Sequence, residues 1–337
     1  MAASDITHEF LDSQADRIES LLASHRVPVR VAGGAVSPRW IRYELAPAAG
    51  AKIATIRNLS EELSLALGVP DVRLGREGQR LTLDVSRPDA KPVRLLAVLG
   101  KLSHLPPLTA CLGLADDGRP LLIRLASPDV AHILVAGTTG SGKTELMRTL
   151  LMSLALTHRQ SQLQVALLDP KSRGFAPLAH LPHLIGPVAT TPASSVALLD
   201  RIAAEMERRD HVGVSTPHIV VAVDELTDLL VNAGKSVEAA LTRLAQRGRE
   251  AGIHVVAGAQ KPASALLGPV LKANFPARLV GRVASAEDAR VATGAAASGA
   301  ERLLGRGDFL AVAAGGITRF QAAWLTPQDW GALAQSL

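Results

Sequence analysis

The chain has 337 residues, of which 47% are hydrophobic and 20% charged, with a formal net charge of +5. This length allows one large or two modest domains with a packed core, and the apolar fraction excludes a disordered chain. There is no uninterrupted run of about 18 apolar residues, no signal peptide and only one cysteine, so we expect a cytoplasmic protein without a membrane segment or an internal disulfide.

The first third of the chain predicts a small α+β unit. Apolar residues at helical spacing among charged neighbours predict helices at 8–24 and 58–67. Short alternating runs with nearby glycine and proline predict strands at 27–34, 40–45, 72–74 and 81–85. The pair Pro106-Pro107 is a natural seam, so we place an α+β subdomain at residues 1–107 and a second domain at 108–337.

The second domain alternates between strand and helix patterns, which indicates an α/β fold with a mostly parallel central sheet. The predicted strands are 133–136, 164–168, 218–223, 254–257, 278–283 and 308–313. The predicted helices are 143–158, 194–210, 236–251 and 285–292.

A glycine-rich loop follows the first of these strands and precedes the first helix. It reads Gly137, Thr138, Thr139, Gly140, Ser141, Gly142, Lys143 and Thr144, which matches the phosphate-binding pattern of P-loop proteins at every position. In that pattern backbone N–H groups surround the phosphates, the lysine reaches the β- and γ-phosphates and the threonine hydroxyl binds Mg²⁺. The loop therefore predicts that the chain binds a nucleoside triphosphate with Mg²⁺.

Two carboxylates end the buried strand at 218–223. In parallel sheets this end faces the ligand, so we expect Asp224 to hold Mg²⁺ and Glu225 to orient or deprotonate the attacking water. Gln260 ends another strand and is a candidate for sensing the γ-phosphate. Asp169 and Lys171 follow the end of a third strand. Contact with the metal or a phosphate and a plain turn at the strand end are equally good interpretations of these two residues.

Residues 243–290 carry eight basic and three acidic side chains, and the difference equals the +5 of the whole chain. Such a window favours a polyanionic partner, although solvated helix faces have the same composition.

Taken together, the motifs resemble those of the motor of the FtsK/SpoIIIE family of DNA translocases. The matching segments include the phosphate loop, 169–171, 205–209, 223–229, 243–254, 260–262, 271–278 and 299–308. The resemblance implies a RecA-like P-loop NTPase domain preceded by the family's α subdomain. It also implies a homo-hexameric ring around double-stranded DNA, with ATP hydrolysis driving translocation.

The same resemblance implies roles for four basic residues. Arg249 matches the arginine that enters the ATP site of the neighbouring subunit, and Lys261, Lys272 and Arg290 match the residues that contact DNA in the pore. Lys261 replaces an arginine that is usual in the family, and Ala286 stands where a second pore lysine is expected. Two alternatives stay open: a protein-translocating ATPase like those of type VII secretion, and a DNA clamp that uses ATP as a switch.

Overall fold

The computed structural model describes residues 6–37, 39–77, 80–260 and 273–336. The chain divides into two compact units, Met1–Pro92 with Asp116–Arg119 and Val93–Ala115 with Pro120–Leu337. The seam expected after residue 107 falls inside the second unit. Within the described residues, no helix combines the length and apolar character needed to cross a bilayer.

The first unit is a four-stranded antiparallel sheet with helices packed on it, in the order β1-β2-β4-β3. Its core includes Ile18 and Leu22 from the first helix and Leu83 and Val85 from the sheet, all fully buried. The first helix begins where Thr7 accepts a hydrogen bond from the Phe10 N–H. The elements are α1 (His8–Ser24), β1 (Val29–Val36), β2 (Trp40–Pro47), α2 (Ile53–Asn58), α3 (Ser60–Leu67), β3 (Val72–Glu77) and β4 (Arg80–Ser86).

The second unit contains all six strands and all four helices that the sequence predicts for it; three strands have the predicted bounds, and the other elements have shifted ends. The elements are α4 (Leu95–Leu99), β5 (Thr109–Ala115), β6 (Pro120–Arg124), β7 (Ile133–Ala136), α5 (Lys143–Thr157), β8 (Leu163–Leu168), α6 (Pro192–Val212), β9 (His218–Val223), α7 (Leu226–Arg247), β10 (Ile253–Ala259), β11 (Ala277–Val280), α8 (Ala286–Thr293), β12 (Asp308–Ala313), β13 (Gly316–Ala322) and α9 (Pro327–Ser336).

These strands form one mixed sheet in the order β6-β5-β13-β12-β11-β7-β10-β9-β8. Five adjacent strands, from β11 to β8, run parallel as the strand–helix alternation predicts. The other four pair antiparallel and extend the sheet beyond β11. Of these, β5, β6 and β13 were not predicted.

Alternate residues of the parallel strands enter two separate cores, so the second unit has helices on both faces of its sheet. In β7, Ile133 and Val135 lie in the core that includes α5, whereas Leu134 lies in the core that includes α6 and α7. Helix α7 starts ten residues earlier than predicted and is interrupted by a non-helical residue, Gly234 (φ 67°). The parallel pairing of the strands brings the carboxyl ends of β7, β8, β9 and β10 to one edge of the sheet.

Candidate nucleotide site

The phosphate loop joins β7 to α5 at that edge. Gly140 (φ 81°) and Gly142 (φ 97°) have the left-handed backbone that side chains disfavour, which explains glycine at both positions. Thr138 donates twice to the carbonyl of Arg282, from its N–H at 2.8 Å and its hydroxyl at 3.0 Å. The loop is therefore anchored to the end of β11 as well as to its own strand.

Lys143 begins α5 and is 6% exposed. Its ammonium donates to the backbone carbonyl of Asp224 and lies 3.3 Å from Glu225 Oε2 and 3.9 Å from Asp224 Oδ1. Gly258 of β10 leaves room for this contact, because a Cβ there would lie 2.2 Å from the Asp224 carbonyl oxygen and 2.8 Å from Lys143 Nζ. Gly258, which the sequence did not single out, is required by this close approach.

Thr144 and Asp224 place two oxygen donors side by side. The threonine hydroxyl donates to Asp224 Oδ1 at 2.9 Å, and Gly174 lies so near that a Cβ there would be 2.4 Å from Asp224 Oδ2. A hydroxyl and a carboxylate are hard oxygen ligands of the kind that Mg²⁺ prefers. The residues present therefore fit the expected metal.

Glu225 precedes α7 and is 2% exposed. One carboxylate oxygen faces Lys143, and the other accepts a hydrogen bond from the Gln260 N–H at 3.1 Å. The structure thus brings together Lys143, Thr144, Asp224, Glu225 and the backbone of Gln260, as their positions at strand ends predict.

The loop after β8 borders the same site. Asp169 is 1% exposed; one oxygen accepts from the Phe175 N–H at 2.9 Å, and the other has no partner within the described residues. Lys171 lies 2.7 Å from Asp228, and this hydrogen bond raises the lysine pKa. Asp169 therefore shapes its own turn, while its contact with a metal and that of Lys171 with phosphate remain predictions.

A segment from the far end of the chain also touches the phosphate loop. The N–H groups of Arg306 and Gly307 donate to phosphate-loop carbonyls at 2.9 and 2.8 Å. The segment lies within the 299–308 motif, to which the sequence assigned no role. Its two glycines, Gly305 and Gly307, both with positive φ, were the available signal.

Arg249 lies elsewhere, in the exposed turn between α7 and β10. Strands β10 and β7 are parallel, with Ala259 beside Ala136 at the end that carries the phosphate loop. Ile253 begins β10 at the other end, six residues and roughly 20 Å away. Arg249 is therefore beyond reach of the phosphate loop of its own chain.

Arg209 supports the turn that carries Arg249. Its guanidinium, 2% exposed, donates to Glu205 Oε1 at 2.8 Å and to the Ala251 carbonyl at 2.9 Å. Hydrogen bonds from Arg208 and then Arg209 lower the pKa of Glu205 to about 2. The turn is thus fixed to α6 by a buried charged side chain with both partners in place.

Three histidines lie at the opposite ends of the parallel strands from the phosphate loop, on the side where the Arg249 turn enters β10. The rings of His132 and His254 are 6.4 Å apart, and those of His254 and His218 are 5.5 Å apart. His132 Nδ1 accepts from the Val255 N–H at 3.0 Å, and His254 Nδ1 lies 2.9 Å from the Ala131 carbonyl. Burial lowers the pKa of His132 to about 3 and that of His254 to about 4.

The lowered pKa values of these two histidines predict that the protein loses stability in acid. Their folded-state pKa values lie below the unfolded value of 6.5, so the stabilisation is complete above pH 6.5 and is lost as pH falls towards 4 and 3. Together they reduce the free energy of unfolding by roughly 3 kcal/mol between pH 6.5 and pH 5. Urea unfolding at both pH values measures this loss. The variant His254→Gln should show a smaller loss, and the exposed control His8→Gln an unchanged one; equal losses in all three proteins would contradict the assignment.

Arginines of the basic window at residues 243–290 pair with acidic side chains of the same chain. Arg243 lies 3.2 Å from Glu207, and Arg247 lies 2.6 Å from Asp210, so both are paired within the chain. Arg290 is exposed on α8 and lies 2.6 Å from Glu287. Lys261 and Lys272 lie outside the described residues, and all three predicted DNA contacts remain predictions.

Comparisons with known proteins add the family. The FtsK/SpoIIIE family matches residues 100–213 and 210–264, and the FtsK alpha domain matches residues 1–82. DNA translocase FtsK of Sporosarcina ureae is 32% identical over 365 aligned positions, covering 97% of this chain and 46% of that protein. DNA translocase SftA of Bacillus subtilis (strain 168) is 33% identical, covering 89% and 34%. The chain spans less than half the length of these relatives.

Two solved structures have a similar fold. The pCW3 conjugation coupling protein TcpA, determined with ATPγS, has a TM-score of 0.64 at 17% identity, covering 96% of this chain and 99% of that one. The cytoplasmic domain of the Thermomonospora curvata type VII secretion ATPase EccC has a TM-score of 0.63 at 24% identity, covering 74% and 34%. These similarities show the α/β fold of P-loop ATPases, and with the sequence matches they lead to one conclusion: the chain belongs to the FtsK/SpoIIIE family.

Proposed function

We propose that this protein hydrolyses ATP with Mg²⁺ and uses the free energy to move along double-stranded DNA. One observation carries the proposal: Lys143, Thr144, Asp224 and Glu225 meet at a single edge of the sheet, in a chain of the FtsK/SpoIIIE family. The FtsK and SftA relatives, both named DNA translocases, support DNA as the substrate. A cytoplasmic location is part of the same proposal.

In the proposed reaction Lys143 balances the charge on the β- and γ-phosphates, and Glu225 orients the attacking water and accepts its proton. Thr144 and Asp224 hold Mg²⁺, which when bound neutralises phosphate charge. Gln260 is near enough to respond to the γ-phosphate, because its N–H already bonds to Glu225.

We further propose a homo-hexameric ring in which Arg249 completes the ATP site of the neighbouring subunit. The distance of roughly 20 Å along β10 supports this role, since Arg249 cannot serve its own phosphate loop. Arginine fingers act by stabilising charge in the transition state. The turn fixed by Arg209 presents the guanidinium from a rigid support.

Glu225→Gln tests the hydrolytic role. The amide keeps the size of the side chain but cannot accept the proton of water, so ATP binding should persist while turnover falls to a trace. Nucleotide affinity and steady-state ATPase assays measure the two properties separately. Normal turnover in this variant would assign the water-orienting role to another residue.

The DNA contacts are tested by salt dependence. If Lys272 and Arg290 meet phosphates, each alanine variant should weaken binding equally on unrelated duplexes and reduce the slope of log affinity against log salt by roughly one unit. DNA-stimulated ATPase should fall while basal ATPase is unchanged. Lys235→Ala, an exposed lysine on α7, is the matched control. An unchanged slope in both variants, or losses on certain sequences only, would contradict phosphate contacts.

Displacement of a bound third strand distinguishes a motor from a clamp. A translocase removes a triplex-forming strand from duplex DNA in an ATP-dependent way, whereas a clamp with an ATP switch retains DNA without displacing it. A protein-translocating ATPase would show no DNA stimulation. We expect DNA-stimulated turnover with displacement.

A further inference from the structure

The segment Leu303–Asp308, which we call the clamp loop, makes two parallel contacts with the phosphate loop. The Arg306 N–H donates to the Gly140 carbonyl at 2.9 Å, and the Gly307 N–H donates to the Ser141 carbonyl at 2.8 Å. Consecutive donors thus meet consecutive acceptors. The contact joins the two backbones, and these carbonyls belong to the middle of the phosphate loop.

The two loops also fit closely. A Cβ at Gly142 would lie 2.8 Å from the Gly307 nitrogen, and a Cβ at Gly305 would lie 3.0 Å from the Gly140 carbonyl oxygen. Both distances are shorter than ordinary contacts of a Cβ atom. The glycines therefore allow backbone to meet backbone, and the clamp loop limits where the phosphate loop can move.

The clamp loop is held in place by residues outside the phosphate loop. Asp308 is 2% exposed; it accepts from the Leu304 N–H at 2.8 Å and makes two 2.8 Å bonds with the Arg319 guanidinium. The Gly307 carbonyl accepts from the Ala322 N–H at 2.7 Å. Its conformation is thus set by the β12–β13 hairpin.

These contacts orient the amides of the phosphate loop. In a trans peptide the C=O and N–H groups point in opposite directions. Holding the Ser141 carbonyl against Gly307 therefore turns the Gly142 N–H away from the clamp loop. The bond at Gly140 acts likewise on the Ser141 N–H, which donates to the Thr138 carbonyl at 3.0 Å.

We propose that the clamp loop preorganises the phosphate loop and so sets the affinity for ATP. This role rests on the proposed function, because it concerns binding at the same site. A loop that already has its bound conformation loses less conformational freedom on binding, and affinity increases accordingly. The clamp loop residues are positioning residues, since their contacts act through the phosphate loop.

Gly305→Ala tests the proposal. Gly305 has φ 73°, and its new methyl group would press on the Gly140 carbonyl. Gly213→Ala is the matched control, because Gly213 has φ 70° but nothing within 4 Å of its Cβ position. Both variants carry the same backbone strain, and only Gly305→Ala disturbs the phosphate loop.

We expect Gly305→Ala to weaken ATPγS binding about tenfold, with a matching rise in the KM for ATP and a much smaller change in kcat. Gly213→Ala should lower the melting temperature comparably and bind ATPγS as the wild-type protein does. A second pair of variants removes one charge from a two-bond arginine–aspartate pair: Asp308→Asn at the clamp loop and Asp84→Asn, partner of Arg42, in the first unit. Only Asp308→Asn should weaken binding.

Three outcomes would overturn the proposal. Unchanged ATPγS affinity in Gly305→Ala and Asp308→Asn, beside a wild-type protein that binds, would refute the clamp role and leave the ATPase proposal intact. Equal losses of affinity in variants and controls would show that the effect is general destabilisation. A wild-type protein that binds no ATPγS would refute the proposed function and the clamp role with it.

Discussion

Replacing Lys143 with alanine is expected to abolish ATP turnover. The ammonium is the cation nearest to Asp224 and Glu225 among the described side chains, and it is the proposed counter-ion of the phosphates. Without it the phosphate charge loses its main side-chain partner. Steady-state ATPase assays with and without DNA should show no activity above background, and turnover above a trace would remove the phosphate-loop assignment.

Lys143→Ala is also expected to lower the stability of the fold, so the loss of activity must be separated from unfolding. Lys143→Ala leaves two buried carboxylates without their cation, and breaking a buried pair in this way costs about 3–5 kcal/mol of stability. Thermal unfolding must therefore show that the variant is folded at the assay temperature. Lys143→Met, which fills more of the volume, should be equally inactive, whereas the exposed control Lys235→Ala should keep wild-type turnover.

Arg249→Ala is expected to reduce turnover by on the order of 10³-fold while leaving nucleotide affinity nearly intact. Because the residue is proposed to act on the neighbouring subunit, a small fraction of variant protein mixed into wild-type rings should reduce ATPase activity by more than that fraction. Titrating variant into wild-type protein at constant total concentration measures this effect. Inhibition in simple proportion to dilution would show that Arg249 does not act in trans.

Arg247→Ala is the matched control for charge. Arg247 is exposed and only two residues away, but it pairs with Asp210 of its own chain at 2.6 Å. Its loss removes the same charge from the same region and should have little effect on turnover. Similar losses in both variants would indicate a general effect of charge on assembly.

The parallel part of the fold was predictable because its signals are local. Several buried strands are apolar runs that end at a glycine or a carboxylate, as at Ala136 and Val223, and after these two strands a helix follows within a few residues. Parallel strands place their ends at one edge, so the approach of Lys143 to Glu225 followed from the topology. Residues 82 positions apart were thereby placed in one site.

The remaining parts depend on long-range contacts that leave no periodic pattern. Strand β5 pairs with β13, about 200 residues later, and neither carries a clear alternation that names its partner. The hydrogen bonds from the clamp loop to Gly140 and Ser141 join backbone atoms, so no side-chain motif announces them in the sequence. The net positive charge of the basic window is evident from the sequence, but the sequence could not show that Arg243 and Arg247 are paired within the chain.

Strand β10 has a mechanical consequence for the proposed ring. All seven of its residues are buried, and it is bonded to β7 on one side and β9 on the other. The Arg249 turn precedes β10 and Gln260 follows it. A single strand therefore connects a subunit's own ATP site to the side chain that is proposed to act on the neighbouring subunit. A close-packed interior resists stretching and bending. In the proposed ring, a displacement of the Arg249 turn would therefore also shift Gln260 beside the ATP site of the same subunit, which would couple adjacent sites through the sheet.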